Sequence, residues 1–155
     1  MSATFVEARN ALNRLRGTFL SASQVQAIAY GMGSEESSWF CDKIVAIDKM
    51  ISAMPVTYQQ EGLGVEAIVS LHYFKGSADF WITERDSDPD GEGQQQAFGL
   101  ADLYGDGGEL GYVSIAELIS CGVELDLHFK PRTLREVRAD HAAGRAFEGK
   151  TEVQS

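Results

Sequence analysis

Closely spaced carboxylates and three histidines are the residues here with chemistry to offer. Asp86-x-Asp88-x-Asp90-Gly91 sets carboxylates at alternate positions before a glycine, as in the first half of a calcium loop. The second half fails: position twelve is Ala97 instead of a bidentate Glu, Pro89 interrupts the middle, and the flanks read as strands rather than helices. A solvated acidic turn is the plain reading, with calcium at Asp86, Asp88 and Asp90 as the alternative. Asp102, Asp106 and Glu109 gather at a second turn and could ligate a metal if their strands fold back on one another. His128, with Asp126 and Glu124, would add a general base. His72 lies on a mixed strand face and reads as a satisfied sheet histidine, while His141 sits on a polar helix and carries no signal. Ser114, in Gly111-Tyr112-Val113-Ser114, is not a nucleophile elbow, and helix capping explains it.

The charge is regional. The 155 residues carry 13 Lys and Arg against 23 Asp and Glu, a formal net charge of −10. Residues 79–126 hold twelve acids and one base, Arg85, for −11, which leaves +1 for the rest of the chain. Such a field opposes direct nucleic-acid binding and favours cationic partners or metal ions. A merely solvated face is the bland alternative. Lys130, Arg132, Arg135, Arg138, Arg145 and Lys150 follow the strands, giving a bipolar chain that could self-associate head to tail. Cys41 and Cys121 show no metal spacing and read as buried thiols of a reducing compartment. With no secretory start and no apolar run of membrane-spanning length, a cytoplasmic protein is expected.

The elements that must position these groups follow from periodicity. Thr4-x-x-Glu7 and Ser21-x-x-Gln24 are capping boxes, each followed by apolar residues at helical spacing. A third helix is expected from near Ser34, with Phe40, Ile44, Ile47, Ile51 and Met54 on one stripe and Pro55 closing it. Ala67–Phe74 is the strongest strand pattern, apolar on both faces as a central strand is. Lys75-Gly76-Ser77 turns it into a partner over 79–85. Trp81 points opposite to Phe80 and Ile82, so it either packs under the N-terminal helices or marks an exposed interface. Strands over 97–103 and 109–113 follow, then a short helix capped by Ser114. The 123–129 segment alternates Val123, Leu125, Leu127 and Phe129 inward with Glu124, Asp126 and His128 outward. Pro131 and Thr133-x-x-Glu136 open a last helix, and 146–155 reads as a flexible tail.

Four blocks carry a resemblance: Asp79-Phe80-Trp81-Ile82-Thr83-Glu84; Ala97-Phe98-Gly99-Leu100; Glu109-Leu110-Gly111-Tyr112-Val113-Ser114-x-x-Glu117-Leu118; and Glu124-Leu125-Asp126-Leu127-His128-Phe129-x-Pro131. In this order the chain resembles, over residues 67–137, the domain of unknown function 2958 family of small bacterial domains. The resemblance implies a setting on plasmids, phages and other mobile elements, often near anti-restriction genes. It supplies no activity and no catalytic residues.

The expectation is a single α+β domain over residues 1–145: helices over 1–55, an antiparallel sheet of four to five strands over 67–129, and a helix over 131–145 packed on it. The expected role is a non-enzymatic interaction protein, countering host defence in an anti-restriction or anti-CRISPR manner by covering a basic, nucleic-acid-binding surface on a host protein. Glu84, Asp86, Asp88, Asp90, Glu92, Asp102, Asp106, Glu109, Glu124 and Asp126, with Trp81, would form that surface. The alternatives are a metal-assisted enzyme using Asp102, Asp106, Glu109 and His128, and the calcium module.

Overall fold

Capping boxes start the helices where the sequence places them. The computed structural model describes residues 2–87 and 94–154, with side chains to Gly144. Thr4 Oγ1 accepts the Glu7 amide at 3.1 Å and opens α1 (Phe5–Leu15). Ser21 Oγ accepts the Gln24 amide at 3.2 Å and opens α2 (Ala22–Met32). The third helix, α3 (Ser37–Ala53), begins three residues later than expected. Ser34 spends its hydroxyl on the Gly31 carbonyl and accepts the Glu36 amide, so it builds the preceding turn instead of a cap. Gly31 lets α2 approach α3 closely, since a Cβ there would sit 2.4 Å from the Phe40 ring.

The apolar run 67–74 is divided into β1 (Ile68–Val69) and β2 (Leu71–Lys75). After it come β3 (Ala78–Glu84), β4 (Ala97–Asp102), β5 (Glu109–Val113), α4 (Ile115–Ser120), β6 (Glu124–Leu125), β7 (Arg132–Thr133) and α5 (Leu134–Gln154). An antiparallel five-stranded sheet has the order β5-β4-β3-β2-β6, and β1 pairs separately with β7. The fold is therefore α+β. β3 is the middle strand, and β2, from the 67–74 run, is interior as expected, paired with β3 on one side and β6 on the other. Gln60 explains the division: its side-chain amide donates to the carbonyls of Ile68 and Thr83 and accepts the Ile68 amide, occupying the place of a neighbouring strand.

The 123–129 alternation also shortens, to Glu124–Leu125. Asp126 ends it by accepting the His128 amide at 2.9 Å, a local side-chain turn that competes with the ladder. Helix α5 continues to Gln154, through the stretch expected as a tail. Thr133 and Glu136 form a reciprocal box at its start: Thr133 Oγ1 accepts the Glu136 amide, and Glu136 Oε1 accepts the Thr133 amide.

The sheet is covered on both faces. Leu71, Tyr73, Phe80 and Ile82 join the apolar stripes of α1, α2 and α3 in the larger core. Val69, Trp81 and Leu100 pack beneath Leu134 and Val137 of α5 in a smaller one. Trp81 is thus buried under the C-terminal helix, neither beneath the N-terminal helices nor exposed. Among the described residues, no helix is long and apolar enough to cross a membrane.

Candidate partner-binding site

Sheet order decides where the carboxylates go. β5 and β6 are opposite edges, so among the described residues Glu109 and Glu124 lie at opposite ends of the sheet rather than side by side. Several members of the expected acidic face turn inward. Asp102 is wholly buried; its Oδ1 accepts the amides of Tyr104, Gly105 and Asp106, and its Oδ2 that of Gly107. It builds the β4–β5 turn and also meets His141 Nε2 at 2.7 Å. Desolvation works against its charged form, but the bonds from His141 and from the Gly107, Gly105 and Asp106 amides prevail and hold it well below the ordinary carboxylate range. His141, which gave no signal in the sequence, is therefore bound to Asp102 and set edge-on to Trp81. A helix position thirty-nine residues away offers no local pattern by which to find it.

Asp126 is half-buried rather than turned outward. His72 stands between it and Asp79, with Nδ1 at 3.0 Å from Asp126 Oδ2 and Nε2 at 2.7 Å from Asp79 Oδ1. Its ring stacks on Trp81 at 5.2 Å. Burial lowers the His72 pKa, yet the two carboxylates overcome this and raise it on balance. Asp86 Oδ2 accepts the amides of Gln95 and Gln96. Asp88, Asp90 and Glu92 lie outside the described residues. Asp106 Oδ1 accepts the Gly108 amide, while Glu109 and Glu124 are exposed. His128 sits against Trp39 of α3, 5.3 Å between rings. Among the described residues, no group of three or more His, Cys, Asp or Glu side chains is placed to hold a metal ion. Cys121 is exposed, unlike buried Cys41, because it ends α4 ahead of the positive-φ Gly122.

Glu84 is placed by a bulge. Ile82 faces Gly99 across β3 and β4, but Glu84 faces the adjacent residue Phe98, so Thr83 is the extra residue. Simple alternation would leave Glu84 on the side of Ile82, under the N-terminal helices. The bulge carries it to the other side, level with Phe98 and with Tyr112 of β5. There it borders a cavity of about 380 Å³ whose walls include Tyr58, Phe98, Leu110 and Tyr112. Glu84 is only 5 % exposed, accepts the Tyr58 amide at Oε1 (2.6 Å), and has Thr83 Oγ1 3.0 Å from Oε2. Tyr58 holds a left-handed backbone, φ +80°, a costly conformation for a bulky residue that the Glu84 contact helps to fix. Its hydroxyl meets that of Tyr112 at 2.5 Å, bridging the connector and the edge strand.

An aromatic-walled cavity beside the edge strand β5 is thus the main concave feature described on this α+β fold. The chain belongs to the family described as protein of unknown function DUF2958, which it matches over residues 46–145. The match begins inside α3, earlier than the strand blocks that first carried the resemblance. Neither the curated proteins nor the solved structures offer a match to this chain.

Proposed function

We propose that this protein is a non-enzymatic interaction protein that binds a basic surface of another protein through the β4–β5 edge. One observation carries the reading. The edge exposes Leu103, Tyr104, Leu110 and Tyr112, with Asp106 and Glu109 among them. Residues 97–113 contain no Lys, Arg or His. Exposed apolar area rimmed by charge of one sign suits a partner of the opposite sign. The exposed edge in this reading is smaller than the surface the sequence alone suggested, because Asp102 and Asp126 are engaged by His141 and His72 and Glu84 faces the neighbouring cavity. The mobile-element setting implied by the resemblance makes a nucleic-acid-binding host-defence protein the fitting partner, in the cytoplasm, where free thiols such as Cys41 and Cys121 persist. Nucleic acid itself is not the ligand, since the edge repels phosphate.

Capture from a bacterial lysate at low salt tests this. The retained protein should be basic and should be lost as salt rises, because screening shortens from about 30 Å at 0.01 M to about 3 Å at 1 M ionic strength. The double variant Asp106→Asn, Glu109→Gln should retain several-fold less. Capture indifferent to both salt and these substitutions would reject the proposal.

A further inference from the structure

The cavity behind β5 has its own chemical preference. Three aromatic rings, Tyr58, Phe98 and Tyr112, and two carboxylates, Glu61 and Glu84, border it, and among the described residues no basic side chain does. No Lys, Arg or His nitrogen forms an ion pair with Glu84 among the described residues. A carboxylate withdrawn from water without a cation is costly to keep. The fold nevertheless spends a β-bulge to place it there, on the cavity side of the sheet. Glu84 Oε1 accepts the Tyr58 amide, and Oε2 shares the single Thr83 hydroxyl hydrogen with the Phe98 carbonyl, leaving each oxygen able to accept another bond. The Tyr112 hydroxyl is held above its ordinary range, first by its bond with Tyr58, then by desolvation and by the nearby Tyr58, Glu61 and Glu84 charges.

We propose that this cavity receives an arginine side chain of the partner protein, its guanidinium paired with Glu84 and its flat faces against the tyrosine and phenylalanine rings. This rests on the interaction reading above and names the residue type recognised. Volume is consistent: about 380 Å³ is near the lower end of ligand pockets, roughly 300–1,000 Å³. Guanidinium suits the site better than ammonium because it is planar, stacks on aromatic faces and offers paired donors to the two oxygens. Rim carboxylate Glu61 lies in the exposed connector and would favour entry of the cation. Among the described residues no strand pairs with the outer side of β5 beside the cavity, which leaves backbone groups for the segment that bears the arginine.

The test uses the full chain and N-acetyl-arginine methylamide, with the citrulline compound as its neutral counterpart and the lysine compound as a second cation. Amide resonances are followed by NMR. The arginine probe should shift Gly62, Gly64, Leu110 and Tyr112 saturably, the lysine probe should bind several-fold more weakly, and the citrulline probe should leave them in place. Glu84→Gln should weaken the arginine probe at least tenfold. Because Glu84 is buried, Tyr112→Ala at an exposed position serves as the second variant, with a several-fold loss expected. Equal response to arginine and citrulline, no response to any probe, or unchanged binding in a folded variant would overturn the assignment. Salt-sensitive lysate capture that persists in Glu84→Gln, a change outside the exposed edge, alongside a silent arginine probe would leave the edge reading standing and remove the pocket alone.

Discussion

His72, held between Asp79 and Asp126, is more basic folded than free. A histidine whose pKa rises on folding contributes stability fully below about pH 6.5, and that contribution disappears as pH climbs through the raised value. The urea midpoint of the native chain should therefore fall between pH 6 and pH 9. His72→Gln should cost about 2 kcal/mol at pH 6, the scale of hydrogen bonds to charged groups, and should flatten the profile. A variant that keeps the native pH slope would show that another group sets it. Asp102 works in the opposite sense. Its lowered pKa gives stability present above about pH 3.9, lost as pH falls through the folded value. Asp102→Asn should cost about 3 kcal/mol, because an amide cannot accept at both ends from four backbone amides and His141. That His72 would be satisfied within the sheet was legible, but its partners and the bond between His141 and Asp102 were not. Each depends on a strand or helix from elsewhere arriving at the right level, and a local pattern records only its own neighbours.

At the scale of elements, side-chain amides join segments that the backbone alone would leave apart. Gln24 of α2 donates to the Leu125 carbonyl at 2.7 Å and accepts the Leu125 amide at 2.8 Å, serving as a strand partner for the edge strand β6. Gln60 does the same where β1 leaves the sheet. Glycine sets the closest approach in the sheet's centre. A Cβ at Gly99 would lie 2.1 Å from the Trp81 carbonyl oxygen, whereas at Gly111 it would meet nothing within 4 Å. Gly99→Ala should therefore cost about 3 kcal/mol by forcing β4 from β3, and Gly111→Ala less than about 0.5 kcal/mol, in urea melts of the two variants. Equal effects would mean the sheet yields more readily than its spacing implies. Capping boxes at Thr4, Ser21, Ser114 and Thr133 were all legible, because each closes within one helical turn. The bulge at Thr83 was not: it is defined by the partner strand's register, which β3 does not contain.

The whole molecule depends on residues outside its family match. Leu71, Tyr73, Phe80 and Ile82 of the matched sheet are buried against α1, α2 and α3, and the Tyr73 hydroxyl donates to the Phe19 carbonyl at 2.7 Å. The matched portion, residues 46–145, lacks α1, α2 and half of α3. Expressed alone, it should expose that sheet face, bind a hydrophobic dye and melt without cooperativity. A sharp thermal transition with dispersed amide resonances would instead show that the helices are an addition to an independent domain.

The order of helices and strands, the caps that start them and the confinement of negative charge to the middle of the chain were set by sequence alone, because each is a property of neighbours along the backbone. Tertiary structure decided which carboxylates remain at the surface. Strand order sent Glu109 and Glu124 to opposite edges, pairing drew Asp102 and Asp126 to histidines, and one extra residue at Thr83 turned Glu84 into the cavity. Alternation assigns a side chain to a face only while register is unbroken, and register belongs to pairs of strands rather than to either one.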